Sequence, residues 1–136
     1  MMSTPILLKS SSGVQTVAIE SKLMNDRRLF ITGEINADSA MDFFKQMMLL
    51  NLEDDKAPIS VFINSPGGEI DNGLLIYDAI VGSTSPVRIF CSGCAYSMGA
   101  VLFTCGKERY MLPHGKLMLH EPLLGGKIGG NASSIK

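Results

Sequence analysis

Two stretches of the chain repeat one pattern: an apolar extended run, a turn rich in glycine and small residues, then an apolar run at helical spacing. In the first, Ile59-Ser60-Val61-Phe62-Ile63 leads through Asn64-Ser65-Pro66-Gly67-Gly68 to a helix with Ile70, Leu74, Tyr77 and Val81 on one face. In the second, Val87-Arg88-Ile89-Phe90 leads through Cys91-Ser92-Gly93-Cys94-Ala95-Tyr96-Ser97 to the buried helix that Ala100-Val101-Leu102-Phe103 marks. An apolar run too short for a helix, followed by glycine and then a period near 3.6, is the signature of a strand-turn-helix unit. Leu29-Phe30-Ile31-Thr32 reads as a further strand. Ala40, Phe43, Phe44, Met47, Met48 and Leu50 mark a helix that Asn36 or Asp38 caps. With short strands at Tyr110-Met111-Leu112 and Lys116 to His120, strand and helix alternate from residue 29 to 120, which predicts an α/β domain with a largely parallel sheet. Before it, residues 1–12 read as a loosely held arm and Ser10 to Gly13 as a turn.

Size and charge narrow the function classes. The 136 residues suffice for one domain spanning 1–136. A net charge of −1 without a basic patch excludes nucleic acid as the partner that charge would recruit. The apolar runs fall far short of a membrane span, and the N-terminus lacks the basic and apolar regions of a secretory signal. Three cysteines, an odd number, fit a reducing cytoplasm better than a disulfide framework.

The two turns carry the chemistry. In parallel α/β sheets ligands bind outside the carboxyl ends of strands, and both turns lie there. Ser97 stands at a helix start, where backbone N–H groups have no intrahelical partner and negative charge is favoured. A serine there is ordinarily an N-cap. It is a candidate nucleophile if an oxyanion site and a base converge on it. Gly67 and Gly68 let backbone N–H groups approach a ligand without a Cβ in the way. One N–H from that turn and that of Met98 then form a two-donor oxyanion hole. Of the two histidines, His114 lies in a Pro-His-Gly turn, whereas His120 ends a strand on the side of the sheet that holds Ser97, which makes it the better general base.

Other motifs carry less. Cys91-Ser92-Gly93-Cys94 is a Cys-x-x-Cys pair, and a redox role for it predicts a depressed thiol pKa. Two cysteines are too few for a zinc site, so no metal is expected. The Gly-Lys pair at Gly126-Lys127 lacks the remaining residues of a phosphate-binding loop.

Taken in order, Ile63-Asn64-Ser65-Pro66-Gly67-Gly68, Ile76-Tyr77-Asp78, Gly93-Cys94-Ala95-Tyr96-Ser97-Met98-Gly99-Ala100, Leu112-Pro113 and Met118-Leu119-His120-Glu121-Pro122-Leu123 resemble the proteolytic subunits of Clp proteases, the ClpP family. The resemblance runs from about Ile6 to the last residue. It implies a ClpP/crotonase-type fold of repeated ββα units. It implies a serine peptidase enclosed in stacked seven-membered rings and supplied with unfolded polypeptide by a separate Clp-family ATPase, which uses the ATP; no cofactor of the chain's own is implied. By motif position Ser97 is the nucleophile, His120 the general base, and the N–H groups of Gly68 and Met98 the oxyanion hole. Extended substrate pairs as an added strand with Gly67, Glu69 and Ile70 on one side and with Leu123, Leu124 and Gly125 on the other. Ser60 and Gly82 are small where the family places bulky residues of its ATPase-docking pocket. The family's triad aspartate and the helix that interlocks its rings lie beyond Lys136, so a triad confined to these 136 residues is expected to be incomplete and weak. Two other readings follow from the same residues. One is a non-catalytic ring subunit. The other is a crotonase-fold enzyme acting on acyl-CoA thioesters, which needs the Gly-Gly turn but neither Ser97 nor His120.

Overall fold

The computed structural model describes residues 3–119. Its largest unit is a five-stranded sheet. The strands β3 (Arg28–Thr32), β4 (Ile59–Ser65), β5 (Val87–Tyr96) and β6 (Glu108–Met111) lie side by side in that order, and β7 (Lys116–Met118) also pairs with β5. Every pairing in this sheet is parallel, as the alternation of strand and helix predicts. The helices α2 (Ala37–Glu53), α3 (Ile70–Val81) and α4 (Met98–Thr104) connect the strands.

One sheet face and the helices share the core. Leu29, Ile31, Val61, Ile63, Ile89 and Cys91 are buried at alternate strand positions, against Phe43, Met47 and Leu50 of α2, Ile76 and Ile80 of α3, and Leu102 of α4. Asn36 caps α2 through a reciprocal box: its side chain accepts from the Ser39 N–H, and the Ser39 hydroxyl accepts from the Asn36 N–H, both at 3.0 Å. The opposite sheet face carries an aromatic row in register across four strands. Phe30, Phe62, Phe90 and Tyr110 stack with ring centroids 4.7–5.4 Å apart. Such pairs each add about 0.5–1.5 kcal/mol beyond area burial. Ser60 lies on this face in the neighbouring row, paired with Arg28 and Arg88.

Three expectations need correction. Residues 5–18 form an antiparallel hairpin, β1 (Pro5–Ser10) and β2 (Gly13–Ala18), with its turn where Ser10 to Gly13 predicts one; only the first residues of the expected arm precede it. A short helix, α1 (Ile19–Asn25), follows. The inward face of α3 is Gly73, Ile76, Ala79 and Ile80. Ile70, Leu74 and Val81, expected inside, are exposed, and Tyr77 is half-buried. The reason is close packing: a Cβ on Gly73 would lie 2.8 Å from Met98 Cε, so α3 turns its smallest residues toward α4 and lets the Met98 side chain fill the gap. Finally, the stretch after Phe90 is not a turn. β5 continues through Cys91 to Tyr96, and the chain reverses only at Ser97.

Candidate active site

Ser97 occupies the junction of β5 and α4 in an unusual conformation, φ 54° and ψ −119°. Only one other non-glycine residue among those described, Arg27, has a positive φ. A side chain held there costs on the order of 1–3 kcal/mol, and the surrounding structure must supply it. It does so through hydrogen bonds on both sides of the residue. The Ser97 N–H donates to Met118 O at 2.8 Å, and Ser97 O accepts from the N–H groups of Ala100 and Val101 at 3.0 and 3.2 Å. Ser97 stands at the N-cap position, yet its side chain makes no capping hydrogen bond. Its hydroxyl has no hydrogen-bond partner among the described residues, and the residue is half-buried. A serine placed on a strained strand-to-helix turn with a free hydroxyl is the arrangement in which hydrolases present a nucleophile.

The Gly67-Gly68 turn is brought against Ser97. A Cβ on Gly67 would lie 2.9 Å from Tyr96 O, 3.0 Å from Ser97 Cβ and 3.2 Å from Met98 N. Gly67 also has φ 103°, so both its space and its backbone angle demand glycine. Gly68 forms an isolated parallel bridge with Ile35: the Ile35 N–H donates to Gly67 O at 2.9 Å and the Glu69 N–H to Ile35 O at 3.0 Å. In such a bridge the N–H of Gly68 itself points away from Ile35. Neither that N–H nor the Met98 N–H, the first of α4, has a hydrogen-bond partner among the described residues. Glu69 lies at the N-cap position of α3 and accepts a hydrogen bond from Asn72, while Ile70 opens the helix and is 66% exposed.

Sequence reasoning passed over Ser65. It is fully buried, its hydroxyl donates to Gly33 O at 2.6 Å, and it accepts from the Gly67 N–H at 3.0 Å. Ser65 O also lies 3.1 Å from where a Cβ on Gly99 would stand, so the glycine turn and the start of α4 pack backbone to backbone. Serine in an Asn-Ser-Pro-Gly-Gly run reads as an ordinary turn former; its burial follows from the end of β4 inserting between β3 and β5.

His114 lies exposed in a turn after β6, as expected. His120, Leu123, Leu124 and Gly125 lie outside the described residues. β7 runs parallel to the end of β5, with Tyr96 paired to Met118, so His120 is two residues along the chain from the residue that binds the Ser97 N–H. The dithiol reading fares poorly. Cys91 is fully buried, and burial pushes its thiol pKa up rather than down. Burial likewise raises Cys105 to about 11. No cluster of metal ligands occurs among the described residues. A 470 Å³ cavity lined by Phe30, Ile31, Ile35, Asp42 and Phe43 includes neither Ser97 nor Gly68 in its lining.

The Clp protease family model matches residues 11–136. The chain is 39% identical over 120 residues to the ATP-dependent Clp protease proteolytic subunit 1 of Protochlamydia amoebophila (strain UWE25), covering 87% of this chain and 58% of that protein. It is 40% identical over 119 residues to the protein of the same name from Chlamydia pneumoniae, covering 86% of this chain and 62% of that one. The chain thus spans less than two thirds of the length of either relative. A match over nearly the whole chain, together with a parallel α/β sheet that sets Ser97 beside the Gly67-Gly68 turn, makes this chain a member of the Clp protease family.

Proposed function

We propose that the chain is a Clp-type proteolytic subunit that hydrolyses peptide bonds with Ser97 as nucleophile. His120 takes the proton from Ser97 Oγ as the oxygen attacks the scissile carbonyl. The negative charge that develops on the carbonyl oxygen is held by the N–H groups of Gly68 and Met98. The amine leaves with the proton returned by His120, and water releases the acyl group by the same steps. The observation that carries this reading is the Ser97 hydroxyl itself. It stands on a strained turn, free of any capping bond, beside the Gly67-Gly68 turn. An acyl-CoA enzyme of related fold has no use for that hydroxyl.

The substrate in this reading is unfolded polypeptide, added as an extended strand along Gly67 to Ile70 on one side and Leu123 to Gly125 on the other. The subunit assembles into seven-membered rings that stack, and a separate Clp-family ATPase spends the ATP and delivers the substrate; the subunit needs no cofactor or metal of its own. The exposed apolar residues of α3 and the aromatic row on the sheet supply apolar surface for such contacts. The subunit works in the cytoplasm; no helix of the described residues is long and apolar enough to cross a membrane.

Hydrolysis of a fluorogenic capped dipeptide tests the reading. Cleavage that disappears in both Ser97→Ala and His120→Ala supports it. Cleavage that persists in Ser97→Ala, or turnover of an acyl-CoA thioester instead, contradicts it.

A further inference from the structure

We propose that Asn64 is a positioning residue for Ser97, acting through a bulge in β5. The catalytic role rests on the peptidase reading; the geometric role does not.

Between the pairs Ile63–Cys91 and Ser65–Ala95, β4 advances two residues and β5 advances four. The two extra residues must buckle out of the ladder, which strips partners from backbone groups on both strands. Three side-chain features close the gap. The Asn64 carboxamide oxygen accepts from the Cys94 N–H at 3.1 Å and from the Cys94 thiol at 3.5 Å. The Ser92 hydroxyl donates to Ile63 O at 3.1 Å. Gly93 takes φ 105°, and a Cβ there would lie 2.5 Å from Asn64 Oδ1, so the carboxamide fills the space a side chain at 93 would need.

The bulge changes the partner of β5. Before it, Arg88 to Cys91 pair with β6; after it, Cys94 to Tyr96 pair with β7, and the Ser97 N–H reaches Met118 O. Asn64 therefore holds the corner at which the strand leaves one neighbour for the other, three residues before Ser97. Its chain neighbour Ser65 holds the Gly67 N–H. Adjacent side chains on β4 thus fix the two halves of the site, one the nucleophile segment and the other the glycine turn. A misplacement of about 1 Å in a reacting group costs on the order of 100-fold in rate, so a loosened corner shows in reactivity before it shows in folding. Asn64 is exposed, and its removal leaves no core cavity.

The test compares the full chain with Asn64→Ala and with Asn64→Asp, which keeps the accepting oxygen. Hydrogen–deuterium exchange reports the Tyr96 and Ser97 amides, with those of Arg88 to Cys91 as internal reference, and a fluorophosphonate probe reports acylation of Ser97. In Asn64→Ala the Ser97 amide is expected to exchange about 10-fold faster, with the reference amides unchanged, and acylation to slow by about 10-fold. In Asn64→Asp both return to within about threefold of the parent. Ser97 exchange in Asn64→Ala within twofold of the parent, or an Asp variant no better than Ala, overturns the proposal. A parent chain that exchanges as expected but takes no probe leaves the geometric role standing and overturns the catalytic one together with the peptidase reading.

Discussion

Gly67 and Ser97 come from different strand-turn-helix units, 30 positions apart, yet the space a Gly67 Cβ would fill is bounded by Ser97 Cβ at 3.0 Å and Tyr96 O at 2.9 Å. The absence of one methyl lets the glycine turn and the turn that carries Ser97 pack against each other. Gly67→Ala must push the two turns apart and also holds alanine at φ 103°. The expected cost is about 1–3 kcal/mol in stability and a loss of acylation at Ser97 of about 100-fold or more. Urea denaturation and fluorophosphonate labelling check the two halves. Acylation lost out of proportion to stability locates the effect in the site.

Arg27 supports the second prediction. Its guanidinium reaches the carbonyls of Leu50, Asp54, Ala57 and Pro58 and the hydroxyl of buried Ser85, at 2.9–3.3 Å. It closes the C-terminal end of α2 and ties the segment before β4 to the one before β5, at the end of the sheet opposite Ser97. Arg27→Ala removes all five bonds, with Leu50 O keeping the Asp54 N–H and Asp54 O the Ser85 hydroxyl, and is expected to cost about 2–4 kcal/mol. Arg27→Lys is expected to recover only part, because an ammonium does not span the same fan of acceptors. Equilibrium unfolding of the three proteins decides it; an Ala variant as stable as the parent contradicts it.

Cys105 gives a prediction at alkaline pH. Burial raises its thiol from the ordinary 9.0 to about 11. The unfolded chain therefore loses this proton first, the folded chain binds more protons between those values, and stability falls as pH rises from 9 to 11. Cys105→Ala is expected to flatten that part of the stability–pH curve. At pH 8 the Cys105 thiol is expected to alkylate more slowly than a thiol of ordinary pKa in a small peptide.

At acid pH the corresponding group is Asp54. Its carboxylate accepts from the N–H groups of Lys56 and Ala57 at 2.8 and 3.1 Å, which holds its pKa below the ordinary 3.8. Its contribution is present above 3.8 and is lost as pH falls through the lower folded value. Asp54→Ala is expected to melt below the parent at neutral pH and to converge with it in acid. A difference that persists unchanged at the lowest pH contradicts this.

What the sequence made legible follows from which forces write themselves into residue order. The parallel sheet was readable because buried strands need continuous apolar runs and the crossovers between them need helices. The convergence of Ser97 and the glycine turn was readable because strand ends in such a sheet share one side. The inward face of α3 was misjudged because Gly73 and Ala79 bury by being small, which counting large apolar residues does not register. The hairpin at 5–18 was missed because its strands are mostly exposed and carry little alternation. The bulge at Ser92 to Cys94 and the roles of Asn64 and Ser65 depend on side chains meeting backbone some 30 residues away, and local pattern holds no record of that.

The peptidase reading turns on Ser97 as nucleophile. Its most direct test is the mass of the chain after incubation with a fluorophosphonate, with the adduct mapped by fragmentation. A single phosphonyl adduct on Ser97 is expected, absent from Ser97→Ala and from chain unfolded in urea before labelling. An unmodified chain, or an adduct that survives Ser97→Ala, would contradict it.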